Sequence, residues 1–452
     1  MKDLELGFSD KNITPWGGMI LMKKMLDHFG FIKALEESPL PKPGSNRGYS
    51  SIQLIQQFMI SIWCGANRYE HYEVTRCDNV LKKIFGFKKM SGHRAISRLF
   101  AKFDQALCEK VFNYLYGWFF KSLNIKHITL DLDSTVMTRY GKQQGATKGY
   151  NPKKKGRASH HPLMAFIADT EMIANLWLRP GSTHSSNNVT GFLGSTLEKL
   201  GDINCSLVRA DTGFSNNDFL MNLEERNLNY VIALPMMQPL QRAMANQAGW
   251  WPLEESGGEG IEVCCFEHET NSWDKPRRVV AIRQSIKVRA SVNKHALGKQ
   301  LSFFSEEDER YGKYRYNAMV TDLKLSALEV WRLYRGRANC ENRIKELKYD
   351  FGADNFNQKD FFATEATLNT AMIAYNLMSL FRKALLKEKS SQTLKTLRYK
   401  LFGTAGYIVN SGRKRILNLA LAMNKREWVN GLWDRSSSFT KPVKFSPIFE
   451  PS

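Results

Sequence analysis

Between residues 126 and 234 the chain carries a series of apolar segments whose order limits its architecture more than any other feature. "HITLDLDS" (127–134) reads as a short strand that ends in acids. "PLMAFIAD" (162–169) and "MIANLWLRPG" (172–181) are two apolar runs split by a tight polar turn, the pattern of an antiparallel hairpin. A helix follows around "NVTGFLGSTLEKL". After it come the strand "SLVRAD" (206–211), a Ser-capped helix from Ser215 through "NNDFLMNLEERN", and the strand "YVIAL". The order is strand, strand, strand, helix, strand, helix, strand. A doubly wound sheet would alternate from the start.

Three strands followed by helix–strand alternation is the order of a ribonuclease-H-like core. The expected fold class is therefore α/β, with such a core interrupted by a β-rich insertion and preceded by a helical N-terminal DNA-binding domain. Residues 1–125 read as helical: "SSIQLIQQFMISIW" has Ser caps and helical apolar spacing. The first part of the core spans 126–236. Residues 237–320 break the alternation with Trp250, Trp251, Trp273, "ESGGEG" and β-like runs such as "RRVVAIRQSI", and read as the insertion. The second part of the core, 321–405, opens at Ser326 and Glu329, an S-x-x-E capping box, with one long helix running to near Gly352. The remainder, including a basic tail over 406–452, reads as helical and basic, with Lys395, Arg398, Lys400 and "SGRKR" (411–415).

The 452 residues carry a formal net charge of +21 and a pI near 9.6. Such a surplus concentrates polyanions. No stretch of 18 apolar residues occurs, and "TLNTAMIAYNLMSLF" (367–381) reads as a core helix, so nucleic acid is favoured over membrane. "MKDLELGFSD" lacks the pattern of a signal peptide, and the seven scattered Cys form no C-x-x-C pair. Both point to a reducing cytoplasm and against a Cys/His metal site.

Two basic features suit DNA. In "SGHRAISRLFAKF" (91–103), Arg94, Arg98 and Lys102 recur every four residues as one ridge, opposite Ile96, Leu99, Phe100 and Phe103. After the Gly-containing turn at "FGFKK", this resembles a helix-turn-helix reader; a solvated basic face is the alternative. The loop from Arg139 to Arg157, with Lys153, Lys154 and Lys155 near its end, has seven Lys/Arg and no acid. It reads either as a phosphate-tracking loop or as a merely solvated one, and DNA is preferred.

Three acids stand apart. Asp133 and Asp211 end strands, where a carboxylate costs desolvation unless a metal or a hydrogen-bond network uses it. At about 100° per residue, Tyr334, Arg337, Glu341 and Lys348 share an arc of about 60°, whereas Glu346 turns to another face. A stripe of Tyr, Arg and Lys with one carboxylate suits phosphate oxygens beside a metal; a surface salt-bridge stripe is the bland alternative. Three carboxylates brought together would form the hard-oxygen site that Mg²⁺ prefers, and two ions so held would drive an in-line displacement. Asp131 and Asp133 lie on the same strand face, since the period is two, so the spacing alone leaves either as the first acid.

"DLDST", "VRADTGF" and Tyr334-x2-Arg337-x3-Glu341-x6-Lys348 resemble the DDE transposases of bacterial insertion sequences, in the class with the Y-R-E-K signature. These form the insertion-sequence-4 superfamily, and "GYNPKKKGRASHHPLMAF" (149–166) resembles its 1380 sub-group. The resemblance implies that Asp133, Asp211 and Glu341 are catalytic and hold two Mg²⁺ (or Mn²⁺) ions, with Asp133 preferred because a small hydroxyl residue follows it. It implies that Tyr334, Arg337 and Lys348 contact DNA phosphates, and that Trp250 or Trp251 stacks on a flipped base, although core packing explains either Trp as well. It also implies a prokaryotic, nucleoid-associated enzyme that cuts double-stranded DNA at element ends, joins them to target DNA and acts as a homodimer in the DNA complex, away from membranes.

Two other readings compete. "DLDST" also fits D-x-D-x-T, with Asp131 as a phosphoryl-accepting nucleophile and Asp133 as general acid, as in haloacid-dehalogenase-like phosphatases. That fold needs strand–helix alternation after the motif, and a hairpin follows instead. A non-catalytic, transposase-derived DNA-binding protein would have no use for three costly carboxylates.

Overall fold

The computed structural model describes residues 4–451 except 5, 9, 45–47, 153, 253–259, 286–313 and 387–390. Its hub is strand β1 (His127–Ser134), buried continuously from Ile128 to Asp133. Its apolar residues Ile128, Leu130 and Leu132 alternate with Thr129, Asp131 and Asp133, and since both sets are buried the polar ones need partners inside the protein. β1 pairs antiparallel with β2 (Leu163–Ile167), and β2 pairs antiparallel with β3 (Met172–Trp177). On its other side β1 runs parallel to β4 (Asn204–Ala210), and β4 runs parallel to β5 (Asn229–Ala233). The strand order in this part is β3-β2-β1-β4-β5.

The segment 237–320 contributes to the same sheet. β9 (Tyr314–Thr321) pairs antiparallel with β5, matching Thr321 to Val231 and Met319 to Ala233. Outside it follow β8 (Arg277–Ser285), β7 (Ile261–His268) and the short β6 (Trp251–Pro252). Among the described residues the sheet has nine strands.

The helices of 1–125 include α1 (Met19–Phe29), α2 (Ser51–Trp63), α3 (His93–Phe100) and α4 (Gln105–Lys121). They share one hydrophobic core with the sheet: Phe58, Trp63, Phe100 and Phe119 belong to the same buried cluster as Leu130, Phe166 and Leu377. The Trp63 indole N–H donates to the Ala374 carbonyl at 3.2 Å. Between strands lie α5 (Val189–Leu200) and α6 (Asn217–Glu225), the latter capped by Asn216, whose side chain accepts from the Phe219 N–H.

Ser326 and Glu329 make the expected capping box at the start of α7 (Ala327–Arg335). The expected single helix is two, however, with α8 running from Ala338 to Tyr349. At the break the Arg337 N–H bonds the Tyr334 carbonyl, three residues back, at 2.9 Å. The Leu333 carbonyl, which an unbroken helix would give to Arg337, instead accepts from the Arg209 guanidinium on β4. A side chain inserted into the hydrogen-bond ladder tightens the turn and resets the helical phase beyond it.

The "TLNTAMIAYNLMSLF" stretch forms the buried helix α9 (Phe361–Phe381). Its Asn376 amide accepts from the Ile173 N–H at 2.7 Å and donates to the Ile173 carbonyl at 2.8 Å, closing the outer edge of β3. The remainder of the chain departs from the helical expectation. A two-stranded ribbon, β10 (Gly406–Ser411) and β11 (Lys414–Leu419), precedes α10 (Met423–Arg435). Its apolar strands Tyr407–Val409 and Ile416–Leu417 flank a two-residue turn at Gly412–Arg413, and the left-handed φ of +58° at Gly412 suits the first central turn position.

Candidate active site

The parallel register of β1 and β4 pairs Leu132 with Ala210, and the next residue on each strand is an acid. Asp133 and Asp211 are thereby neighbours at the carboxyl ends of adjacent strands. Asp133 is 7% exposed. Burial pushes its carboxyl up to about 6; Arg337 pulls against that shift and the charge of Asp211 adds to it. One Asp133 oxygen accepts from the Ser134 N–H at 2.7 Å, the other lies 3.1 Å from the Arg337 guanidinium, and the Cys340 thiol also hydrogen-bonds to it. Asp211 caps the turn Thr212–Phe214, accepting from the Gly213 N–H at 2.9 Å.

Asp131 has a different partner. It is fully buried and matched in register with Arg209, whose Nε donates to one carboxylate oxygen at 2.7 Å and whose terminal nitrogen donates to the other at 2.9 Å. Arg343 stands 3.8 Å from the same carboxylate. A carboxylate held bidentate by a buried guanidinium is a structural ion pair and a poor phosphoryl-accepting nucleophile, which counts against the D-x-D-x-T reading.

The stripe residues separate. Tyr334 is half-buried, and burial raises its phenol, with Arg337 opposing and Asp211, Asp133 and Asp131 adding to the rise. Arg337 is buried and also donates to the Leu132 carbonyl at 3.1 Å. Lys348 donates to the Val136 carbonyl at 2.7 Å and lies 3.6 Å from Asp354. Glu341 is not brought to the Asp pair. Its side chain is 67% exposed and sits 3.9 Å from Lys345. Among the described residues no group of three or more His, Cys, Asp or Glu side chains is gathered to hold a metal. The 100° wheel fails for Glu341 because the Cys340 N–H bonds the Arg337 carbonyl, three residues back, at 2.8 Å, and this tight first turn of α8 puts Cys340 rather than Glu341 in line with Arg337. Glu346 faces away from the pair altogether: it binds the buried Arg382 and accepts from the Leu394 N–H at 2.7 Å.

Arg94 and Arg98 are both exposed on α3, which packs on α2 and α9. Lys154 and Lys155 are exposed, Lys154 standing over the Tyr140 ring; Lys153 lies outside the described residues. Arg139, at the start of that loop, is buried instead, donating to His160 Nδ1 at 3.0 Å. Trp250 packs between Arg283 and Tyr316, whereas Trp251 is 56% exposed.

Sequence reasoning passed over several residues around the pair. Arg209 and Cys340 are two. A third is Arg179, whose guanidinium gathers the carbonyls of His161, His184, Ser185 and Asn187. It thereby folds the "PGSTHSSNN" loop so that Ser185 meets Ser134 at 3.0 Å, oxygen to oxygen. The polar run directly after β3 was the available signal.

A family model described as "Transposase DDE domain group 1" matches residues 1–437. The chain belongs to the DDE transposases. No curated protein matches it in sequence. Among solved structures it is similar to the piggyBac transposase in a synaptic complex with hairpin DNA, at 10% identity and a TM-score of 0.44, over 87% of this chain and 82% of that one. Membership in the DDE family gives the strand-end acids a chemical context that a solitary carboxylate pair would lack.

Proposed function

We propose that the chain is a metal-dependent DNA strand transferase that cleaves the ends of an insertion sequence and joins the freed 3′-hydroxyls to target DNA. The observation that carries this reading is the meeting of Asp133 and Asp211 at the ends of two parallel strands, with Tyr334 and Arg337 against them. The strand order β3-β2-β1-β4-β5 supports a ribonuclease-H-like core.

The donor chemistry fits a hard divalent cation. A buried carboxylate disfavoured by its neighbouring acid is relieved by an adjacent positive charge. Asp133 and Asp211 would hold Mg²⁺ or Mn²⁺. We assign Glu341 as the third ligand: it follows Cys340, whose thiol touches Asp133, and its exposed side chain would have to swing from Lys345 to the pair when the cation binds. The metal, when bound, supplies water or hydroxyl activation and stabilises the leaving oxygen. Arg337 and Tyr334 orient phosphate beside the carboxylates, and Arg337 holds Asp133 until the cation arrives. Lys348 fixes the segment after β1 through Val136. Arg94, Arg98, Lys153, Lys154 and Lys155 would track the DNA backbone, and Trp251, the exposed member of its pair, is the better candidate for stacking on a base. Two copies would pair two element ends.

The test is Mg²⁺-dependent nicking of duplex carrying the inverted repeats that flank this reading frame. Asp133→Asn, Asp211→Asn and Glu341→Gln should each abolish nicking and leave binding intact. Binding without nicking by the unaltered chain would refute the enzyme reading, and hydrolysis of a small phosphate ester would favour the phosphatase.

A further inference from the structure

The ribbon β10–β11 has no role in the site described above, and its composition is extreme. From residue 391 to residue 426 the chain contains eight Lys or Arg and no Asp or Glu. Three of those cations, Arg413, Lys414 and Arg415, sit at the turn, and every residue from Asn410 to Ile416 is exposed. The base of the ribbon is anchored. Gly406 exchanges two backbone hydrogen bonds with Thr14 at 2.9 Å each, Leu419 packs against the core, and Lys11 covers the Tyr407 ring.

Register determines what the free end presents. Asn410 pairs with Arg415 and Ser411 pairs with Lys414, so each face of the distal ribbon carries one hydrogen-bonding residue and one cation. The apolar residues Ile408 and Leu417 lie on one face nearer the base and pack against the core. A two-stranded ribbon fits the major groove of a B-form duplex, where cations meet phosphates and Asn or Arg meet base edges. Its cations also oppose edge-to-edge pairing with the same ribbon of another copy.

We propose that residues 410–415 form a DNA-contacting finger that enters a groove of double-stranded DNA, apart from the cleavage site. This rests on the reading that the chain acts on duplex DNA. The DNA met by the finger belongs either to the element end or to target and flanking sequence.

The experiment is a salt titration of binding by the full chain, on one duplex carrying an element end and one unrelated duplex. Arg413→Ala/Lys414→Ala/Arg415→Ala should flatten the dependence of log affinity on log salt by about 2–3, since each lost phosphate contact contributes about 0.9. A control of equal charge loss, Lys33→Ala/Lys110→Ala/Lys121→Ala, at exposed positions elsewhere, should leave the slope unchanged. Flattening on both duplexes supports a finger on target or flanking DNA, and flattening on the end duplex alone supports an end reader. An unchanged slope, or equal flattening in the control, overturns the finger. So does wild-type affinity combined with lost self-association in sedimentation, which would give the ribbon to a second copy. If the unaltered chain shows no metal-dependent nicking while the slope difference persists, the cleavage reading fails and the finger stands.

Discussion

Asp131 and Asp133 lie two residues apart on one strand face, yet their substitution should have very different effects on stability. Asp131 is 0% exposed and Arg209 1%, joined by two short hydrogen bonds. Asp131→Asn removes the only carboxylate bonded to that guanidinium among the described contacts and leaves Arg343 as a further positive neighbour. Breaking a buried pair by removing one partner costs about 3–5 kcal/mol. With an unfolding entropy of about 2.1 cal/mol/K per residue, a chain of 452 residues unfolding as one unit has about 1 kcal/mol/K, so Tm should fall by about 3–5 °C. Asp133 behaves otherwise. A carboxyl raised from 3.8 to about 6 by burial disfavours its charged form at neutral pH by about 3 kcal/mol. Asn at 133 removes that cost while leaving Arg337 short of a partner, so Asp133→Asn should melt within about 1 °C of the unaltered chain or above it. Thermal unfolding followed by circular dichroism at pH 7, without added metal, reads both. Replacing both partners, Asp131→Leu/Arg209→Met, should recover most of the lost stability. An Asp131→Asn variant as stable as the parent, or an Asp133→Asn variant that falls equally far, would refute the division into structural and functional acids.

Glu341→Gln should leave Tm unchanged, because the side chain is largely in water, whereas Glu346→Gln should cost about 1–3 kcal/mol by weakening a buried pair with Arg382 and a bond to the Leu394 N–H; differential scanning fluorimetry separates them, and equal behaviour contradicts the assignment. Burial works against the charge of Glu224, but hydrogen bonds from Arg277, Lys275 and Tyr230 outweigh it and hold the carboxyl down at about 2. A depressed carboxyl stabilises the fold above its unfolded value near 4.5 and loses that contribution as pH falls through the folded one, so urea midpoints of the parent should drop between about pH 4.5 and 2 more than those of Glu224→Gln. Arg94→Ala/Arg98→Ala should flatten the salt dependence of DNA binding by up to about 2; an unchanged slope would make the α3 ridge a solvated face.

The sheet was readable because β1 alternates apolar and polar residues, because β2 and β3 appear as nearly unbroken apolar runs, and because the turn at Asp169–Glu171 separates β2 from β3 cleanly. Asp133 and Asp211 were readable as strand-final acids because each directly follows the last apolar residue of its strand, Leu132 and Ala210. The break between α7 and α8 was not, since it depends on Arg209 reaching a carbonyl 124 residues away, and no local propensity encodes that contact. The exposure of Glu341 goes with the tight first turn of α8, which puts Cys340 in line with Arg337. The ribbon at 406–419 did carry a local signal, apolar runs on both sides of a Gly-Arg turn, but the density of basic residues masked it. Arg179 and the loop it folds had no periodicity to betray them.

The pairing of β5 with β9 has an evolutionary consequence. The chain leaves the core at Ala233 and re-enters it at Met319, and these two residues face each other across one ladder. Everything between them is an excursion whose start and finish are side by side, so its outer loops can change length at little loop-closure cost, whereas β7 and β8 pack on α7 and Arg278 holds the Leu323 and Leu325 carbonyls. This edge is the natural graft point of the molecule. A chain that kept β7 and β8 and lengthened the loops beyond them would gain new surface while Asp133 and Asp211 stayed in register.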